Sequence, residues 1–181
     1  EAYLDFVEDG LRVSAVGRLE RFPRLIVLRS MTKSFAVPGL RLGYLAASER
    51  IVSALAGIQP PWPVNGPAAL AGRWLAGQQD YLEESRRSIR IFRQGLWEQL
   101  QKLPELRCVP SEANFILCRL DGPAWGARRL AEALAARGIL IRTCDDFTGL
   151  EAGRFIRIAV RRPEQNKRLL RALKEILSHA G

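Results

Sequence analysis

The chain has 181 residues, 48% of them apolar, and a formal net charge of +9. That length suits one ordinary domain or a large piece of a bigger protein, with enough apolar residues for a sizeable core. No run reads as a membrane-spanning helix and the opening does not read as a signal peptide, so no membrane partner is expected.

"LIVLRS" at 25–30 is a short apolar run of the buried-strand type, and "LRLGYLAA" at 40–47 is another. Between them a loop carries Lys33 and a Pro38-Gly39 turn. Ser48 predicts the N-cap of a helix over 49–57, with Glu49 in its first turn. The prolines of "QPPWPVN" at 59–65 break the chain, and Asn65 can cap a helix over 66–77. A long helix follows over 79–103. Leu82, Ile89, Phe92, Leu96, Leu100 and Leu103 recur on one face, and Pro104 stops it. Then the pattern alternates. "NFILCRL" at 114–120, "ILIRTC" at 139–144 and "FIRIAV" at 155–160 read as strands. "PAWGARRLAEALAARG" reads as a helix ended by Gly138. "RPEQNKRLLRALKEILSH" is a closing helix with Pro163 near its first turn. The expected organisation is a remnant of an α/β layer over residues 1–80, a connecting helix over 81–104, and a small α+β domain over 105–181.

The basic balance raises a nucleic-acid surface as a non-enzyme alternative. The arginines, however, are interleaved with carboxylates, as in "EESRRSIRIFRQ". That is the pattern of a solvated helix face, and no nucleic-acid partner is expected. Cys108, Cys118 and Cys144 are widely spaced and form no CxxC pair. Neither a disulfide framework nor a metal site is expected; they read as small buried hydrophobes in a reducing cytoplasm. His179, the only histidine, sits near the end of the last helix, where a cation suits the dipole, and has no catalytic role assigned.

The stretch "RSMTKSFAVPGLRLGY" at 29–44 sets Lys33 between small hydroxyl residues. A lysine that forms a Schiff base must give up a proton near neutrality, which nearby cationic groups favour. Arg41 lies eight residues beyond Lys33, past a tight turn that can fold it back. Ser30 and Thr32 offer hydroxyls on the same loop. An amine, hydroxyls and a guanidinium suit an aldehyde cofactor that carries a phosphate, as pyridoxal 5'-phosphate does. A solvated loop lysine is the alternative on spacing alone.

The same stretch closely resembles the lysine motif of the class I and II aminotransferase family, fold-type I pyridoxal-phosphate enzymes. Ser30, Thr32, Lys33 and Arg41 match it position by position. The resemblance implies an α/β fold, the C-terminal part of a fold-type I PLP-dependent transferase. A partial large-domain sheet would join a small α+β domain. It implies that Lys33 carries the internal aldimine and that Ser30, Thr32 and Arg41 hold the cofactor phosphate. The opening "EAYLDF" extends the match, and Tyr3 takes the place of the family's tyrosine that hydrogen-bonds the ring hydroxyl. The family's carboxylate for the pyridine nitrogen would fall just before Glu1. The expectation is therefore the C-terminal half of a longer, homodimeric enzyme, inactive as a half.

"GRFIRIAVR" resembles the family's strand with the substrate-binding arginine, and Arg157 matches it. A guanidinium fork fits a carboxylate bidentately where a lysine would not. The chain resembles members of that family that act on small phosphorylated amino acids or amines. Arg142, and Arg161 in the Arg161-Arg162 pair, are further candidate anchors. For the pair, a solvated turn before the last helix is the equal alternative. The expected activity is decarboxylation of a small phosphorylated amino acid, with amino-group transfer as the alternative.

Overall fold

The computed structural model describes residues 1–122 and 124–178, and of Leu11 only the main chain; His179 lies outside the described residues. Chain contacts divide the protein within its longest helix, into Glu1–Arg86 and Arg87–Gly181.

The first unit opens with short helical turns at Leu4–Phe6 and Ala15–Arg18, flanking α1 (Gly10–Val13). Strand β1 (Ile26–Ser30) pairs antiparallel with β2 (Gly43–Ala47), in register from Ile26↔Ala47 to Ser30↔Gly43. Helices α3 (Glu49–Ala56), α4 (Gly66–Leu75) and the start of α5 (Gln79–Leu100) follow. The second strand begins at Gly43 rather than at residue 40. Pro38–Leu40 form a 3-10 turn and Arg41 takes a left-handed backbone, so the chain is not extended until after Leu42. Gly43 is steric in origin: a Cβ there would meet the Arg29 carbonyl oxygen at 2.7 Å. Asn65 caps α4 as expected, its Oδ1 accepting from the Ala68 amide at 2.9 Å. Ser48 does not cap α3 by its side chain. Its hydroxyl donates instead to the Pro23 carbonyl at 3.0 Å and ties the helix start to the segment before β1.

The second unit is a four-stranded antiparallel sheet of order β3-β4-β6-β5. Its strands are β3 (Leu106–Val109), β4 (Phe115–Leu120), β5 (Arg142–Thr143) and β6 (Phe155–Ala159). Helices α6 (Ala127–Ala135) and α7 (Pro163–Ser178) complete it, with the later part of α5. Strict alternation in β4 and β6 puts Ile116, Cys118, Leu120, Ile156 and Ile158 on the core face. They join one cluster with Leu96 and Leu100 of α5, Leu130 and Leu134 of α6, and Leu169 and Leu173 of α7. Each such side chain contributes about 1.5–3 kcal/mol on burial.

Several boundaries differ from expectation. Strand β3 was not expected: it is four residues long, and its only apolar alternation is Leu106 and Cys108. The strand expected over 139–144 pairs only at Arg142–Thr143, because Ile139 and Ile141 turn to pack on the core. Helix α6 spans fewer residues than expected. Gly138, at φ +69°, lies beyond its end, where the Ile139 amide donates to the Leu134 carbonyl. Helix α5 stops at Leu100, three residues early, in tight turns that still bury Leu103. Pro163 does start α7. All three cysteines are buried. Among the described residues no helix is long and apolar enough to cross a membrane, and no cluster of metal-ligating side chains occurs.

Candidate active site

The connection between β1 and β2 carries the lysine motif. Lys33 does not lie in an open loop. It sits in a single helical turn, α2 (Met31–Ser34), directly after β1. Thr32 and Ser34 on either side of it are buried, while Lys33 itself is exposed. This alternation turns the amine outward and fixes its neighbours inward. Among the described residues the Lys33 amine makes no hydrogen bond or ion pair.

The buried neighbours are held by hydroxyl chemistry. Thr32 Oγ1 lies 2.8 Å from Ser30 Oγ, so one hydroxyl donates to the other. Ser34 donates to Asp5 Oδ2. Helix α2 touches the Pro38–Leu40 turn, which brings Arg41 to the same connection. Arg41 has φ +52° and ψ +45°, a left-handed conformation that side-chain-bearing residues seldom take. Its Nη1 donates to the Pro38 carbonyl at 3.1 Å, and its guanidinium is otherwise open to solvent. Tyr3 stands half-buried at the start of the first turn, its carbonyl accepting from the Phe6 amide.

Behind this connection lies a network that the sequence reading missed. Arg29 is nearly buried, at 10% side-chain exposure. Its Nη1 donates to Asp5 Oδ1 at 2.9 Å and its Nη2 to Ser14 Oγ at 3.2 Å. Its Nε lies 2.9 Å from Glu1 Oε2, an ion-pair contact without aligned hydrogen-bond geometry. Burial pushes the Glu1 carboxyl up. The Ala15 amide, the Ser14 hydroxyl and Arg29 outweigh this and hold it below the usual carboxylate range. The available signal was the carboxylate pair Glu1 and Asp5, one helical turn apart, with an arginine in an otherwise apolar strand run.

In the second unit, Arg157 lies on β6 directly opposite Arg142 on β5. Directly paired residues share a face, so the two guanidinium groups lie on the face away from the core. Arg157 stacks over the Phe115 ring at 5.0 Å from its centroid. Arg142 is paired with Asp146 at 2.5 Å. Arg161 follows β6 in a turn locked by buried Asn166. The Arg161 amide donates to Asn166 Oδ1 at 3.0 Å, and Asn166 Nδ2 donates back to the Arg161 carbonyl at 2.8 Å. The Arg161 side chain is exposed. So Ser30, Thr32, Lys33 and Arg41 gather on one connection of the first unit, and Arg142 and Arg157 on one sheet face of the second.

A lysine on the connection between two antiparallel paired strands, followed by a four-stranded sheet under helices, defines the C-terminal part of the fold-type I architecture. The family model for aminotransferase class I and II matches residues 1–173, and the chain belongs to that family. It is 40% identical over 182 residues to a histidinol-phosphate aminotransferase of Nitratidesulfovibrio vulgaris, covering 99% of this chain and 46% of that one. It is 36% identical over 179 residues to the threonine-phosphate decarboxylase of Salmonella typhimurium, covering 98% and 48%. The crystal structure of the histidinol-phosphate aminotransferase from Clostridium acetobutylicum superimposes with a TM-score of 0.90 at 34% identity, over 98% of this chain and 53% of that one. The chain spans about half the length of the curated relatives it matches.

Proposed function

We propose that this chain is the C-terminal half of an enzyme that uses pyridoxal 5'-phosphate to decarboxylate L-threonine O-3-phosphate to (R)-1-aminopropan-2-yl phosphate, the linker precursor of cobalamin. The donor set fits the cofactor. An exposed primary amine stands one residue from a hydroxyl pair 2.8 Å apart, and an exposed guanidinium stands on the adjoining turn. Ser30, Thr32 and Arg41 would hold the phosphate group, which accepts several charge-assisted hydrogen bonds. Tyr3 would donate to the ring hydroxyl, and Lys33 would hold the cofactor aldehyde. When bound, the cofactor supplies a ring that accepts the electron pair of a bond broken at the substrate α-carbon.

The rest is the chain's own work. A decarboxylase must hold its substrate so that the bond from Cα to the carboxylate faces the electron sink. That requires fixed anchors for the substrate's charged groups. Arg157 offers a planar fork, pre-set by its stacking on Phe115. Arg142 and Arg161 would anchor a second anionic group. Lys33, in its ammonium form once the substrate amine has displaced it, would be the acid that returns a proton to Cα after carbon dioxide leaves, and would be left as the neutral amine.

The observation that carries the choice is the opposed pair Arg142 and Arg157. Like charges directly across a strand pair are unfavourable unless anions compensate them. Asp146 faces Arg142, while Arg157 has the Phe115 ring and, among the described residues, no carboxylate beside it. Threonine phosphate has two anionic groups, a phosphate and a carboxylate. Histidinol phosphate, the substrate of the alternative aminotransferase reading, has one. That alternative is supported by the identity to the N. vulgaris enzyme. The deciding assay gives the full-length protein threonine phosphate without a keto acid and follows carbon dioxide. Release of carbon dioxide is the expected result. No release, with turnover of histidinol phosphate and 2-oxoglutarate, would establish the aminotransferase instead.

A further inference from the structure

We propose that Asp5 is a positioning residue for Lys33, a single carboxylate that clamps the Tyr3 segment and strand β1 to the lysine turn. The proposal rests on the reading of Lys33 as the cofactor lysine. The two oxygens of Asp5 serve different elements. Oδ1 accepts from Arg29 Nη1 at 2.9 Å, which fixes the carboxylate to β1. Oδ2 accepts from Ser34, the residue after Lys33. The main-chain carbonyl of Asp5 also accepts from Arg86 Nε at 2.9 Å, from the first half of α5. Tyr3 is two residues before Asp5, in the turn that Asp5 helps form. One side chain thereby sets the spacing between the tyrosine and the lysine.

The remaining groups make the clamp rigid. Ser14 Oγ donates to Glu1 Oε2 at 3.0 Å while accepting from Arg29 Nη2 and from the Val16 amide at 3.2 Å. That is the full capacity of a hydroxyl, one donor and two acceptors. Glu1 also accepts from the Ala15 amide at 2.6 Å. Arg29 cannot swing away without leaving two partly buried carboxylates facing each other without their cation, which is costly. Ser34, at 2% exposure, has no water to replace Asp5. A four-residue helix is too short to hold itself. It needs an outside anchor on each side of Lys33, and the Ser30–Thr32 contact and the Ser34–Asp5 bond are those anchors.

Ser34→Ala severs only the link between clamp and lysine turn and removes a single oxygen. Asp5→Asn keeps an acceptor for Ser34 but loses the charge facing Arg29. In cofactor-free full-length protein, Ser34→Ala is expected to raise the rate of tryptic cleavage after Lys33 roughly tenfold, because local opening governs cleavage. In the loaded protein, both variants are expected to move the pH midpoint of the visible cofactor band, and their effects to be non-additive in the double variant. Cleavage and pH midpoint both unchanged in Ser34→Ala would overturn the clamp. A fall in melting temperature with neither readout moved would reduce the link to a structural contact and also overturn it. Failure of the underlying reading looks different. Borohydride would then fix no pyridoxyl group on Lys33 of the unmodified protein at all.

Discussion

Gly43→Ala tests whether the base of the lysine connection is as tightly built as its geometry implies. Gly43 faces Ser30 across the strand pair, at the point where β1 hands over to the lysine turn. An added Cβ would stand 2.7 Å from the Arg29 carbonyl oxygen and 3.7 Å from the Ser30 Cα. The clashing atom is main chain in a paired strand, so relief requires the strands to part at Arg29 and Ser30. Overpacking of this kind costs about 1–3 kcal/mol. The strain falls on the strand that carries Arg29, so the loss concentrates locally. Hydrogen exchange of the peptide covering residues 26–47 should accelerate by about 5- to 150-fold for that cost, while peptides covering residues 115–159 stay as they were. Gly39→Ala is the matched control, on the same connection. A Cβ there meets nothing within 4 Å, and the residue is not among the positive-φ glycines. Its exchange should be unchanged or slower. Equal behaviour of the two variants would refute the steric account of Gly43.

Other expectations follow from single contacts. Arg41→Ala should weaken cofactor affinity by about 1.5–3 kcal/mol, the range for a hydrogen bond to a charged group, as read by equilibrium titration of the cofactor band. Arg157→Lys keeps the charge but loses the fork and the stacking on Phe115, and should raise the KM for threonine phosphate more than it lowers kcat. Cys118→Ser places a hydroxyl in a core position with no exposure, beside Cys108 Sγ at 2.9 Å, and should destabilise the protein by about 1–3 kcal/mol in denaturant unfolding. The contact with Cys108 and burial also push the Cys118 thiol up, so it should be the slowest of the three cysteines to alkylate in the folded protein. Glu1 has a lowered folded pKa, so its stabilisation is present above its unfolded pKa and lost as pH falls through the folded value. Glu1→Gln should therefore flatten the loss of thermal stability seen on acidification below about pH 4.3.

Periodicity made most of the second unit legible. Strands β4 and β6 alternate cleanly, and α7 shows its start in Pro163. What escaped was short or tertiary in origin. Strand β3 has too few residues for a pattern, and β5 shrank because Ile139 and Ile141 had better apolar partners than a strand neighbour. Ser48 has the chemistry of a cap, but the Pro23 carbonyl claimed its hydroxyl. The lysine motif could be read by resemblance, residue by residue. Its setting could not. The helical turn α2 depends on contacts such as Ser34 to Asp5, separated by 29 residues, and no local propensity encodes that. Arg29 is the plainest case. In the sequence it is a charge interrupting an apolar strand, and in the fold it neutralises two carboxylates.

The arginines of this chain show why net charge alone misleads about partners. The formal +9 is compatible with a nucleic-acid surface if the charges are counted without their surroundings. Placed in the fold, the cations divide by what faces them. Arg29 is satisfied by Glu1 and Asp5, Arg137 by Glu175, and Arg119 by Asp121 and Glu151. These contacts are structural. Arg41 and Arg157 are different in kind. Arg41 is held in a left-handed backbone with one weak carbonyl contact, and Arg157 is braced by a ring rather than a carboxylate. A guanidinium that is rigidly presented but electrostatically under-compensated is preorganised for an incoming anion, because the ordering cost is met before binding. One such group stands on the lysine connection and one on the face of the second sheet. A polyanion would call for a continuous stripe. Separate, individually braced guanidinium groups suit a small molecule carrying discrete phosphate and carboxylate groups, and that is the chemistry of a phosphorylated amino acid and a phosphorylated cofactor.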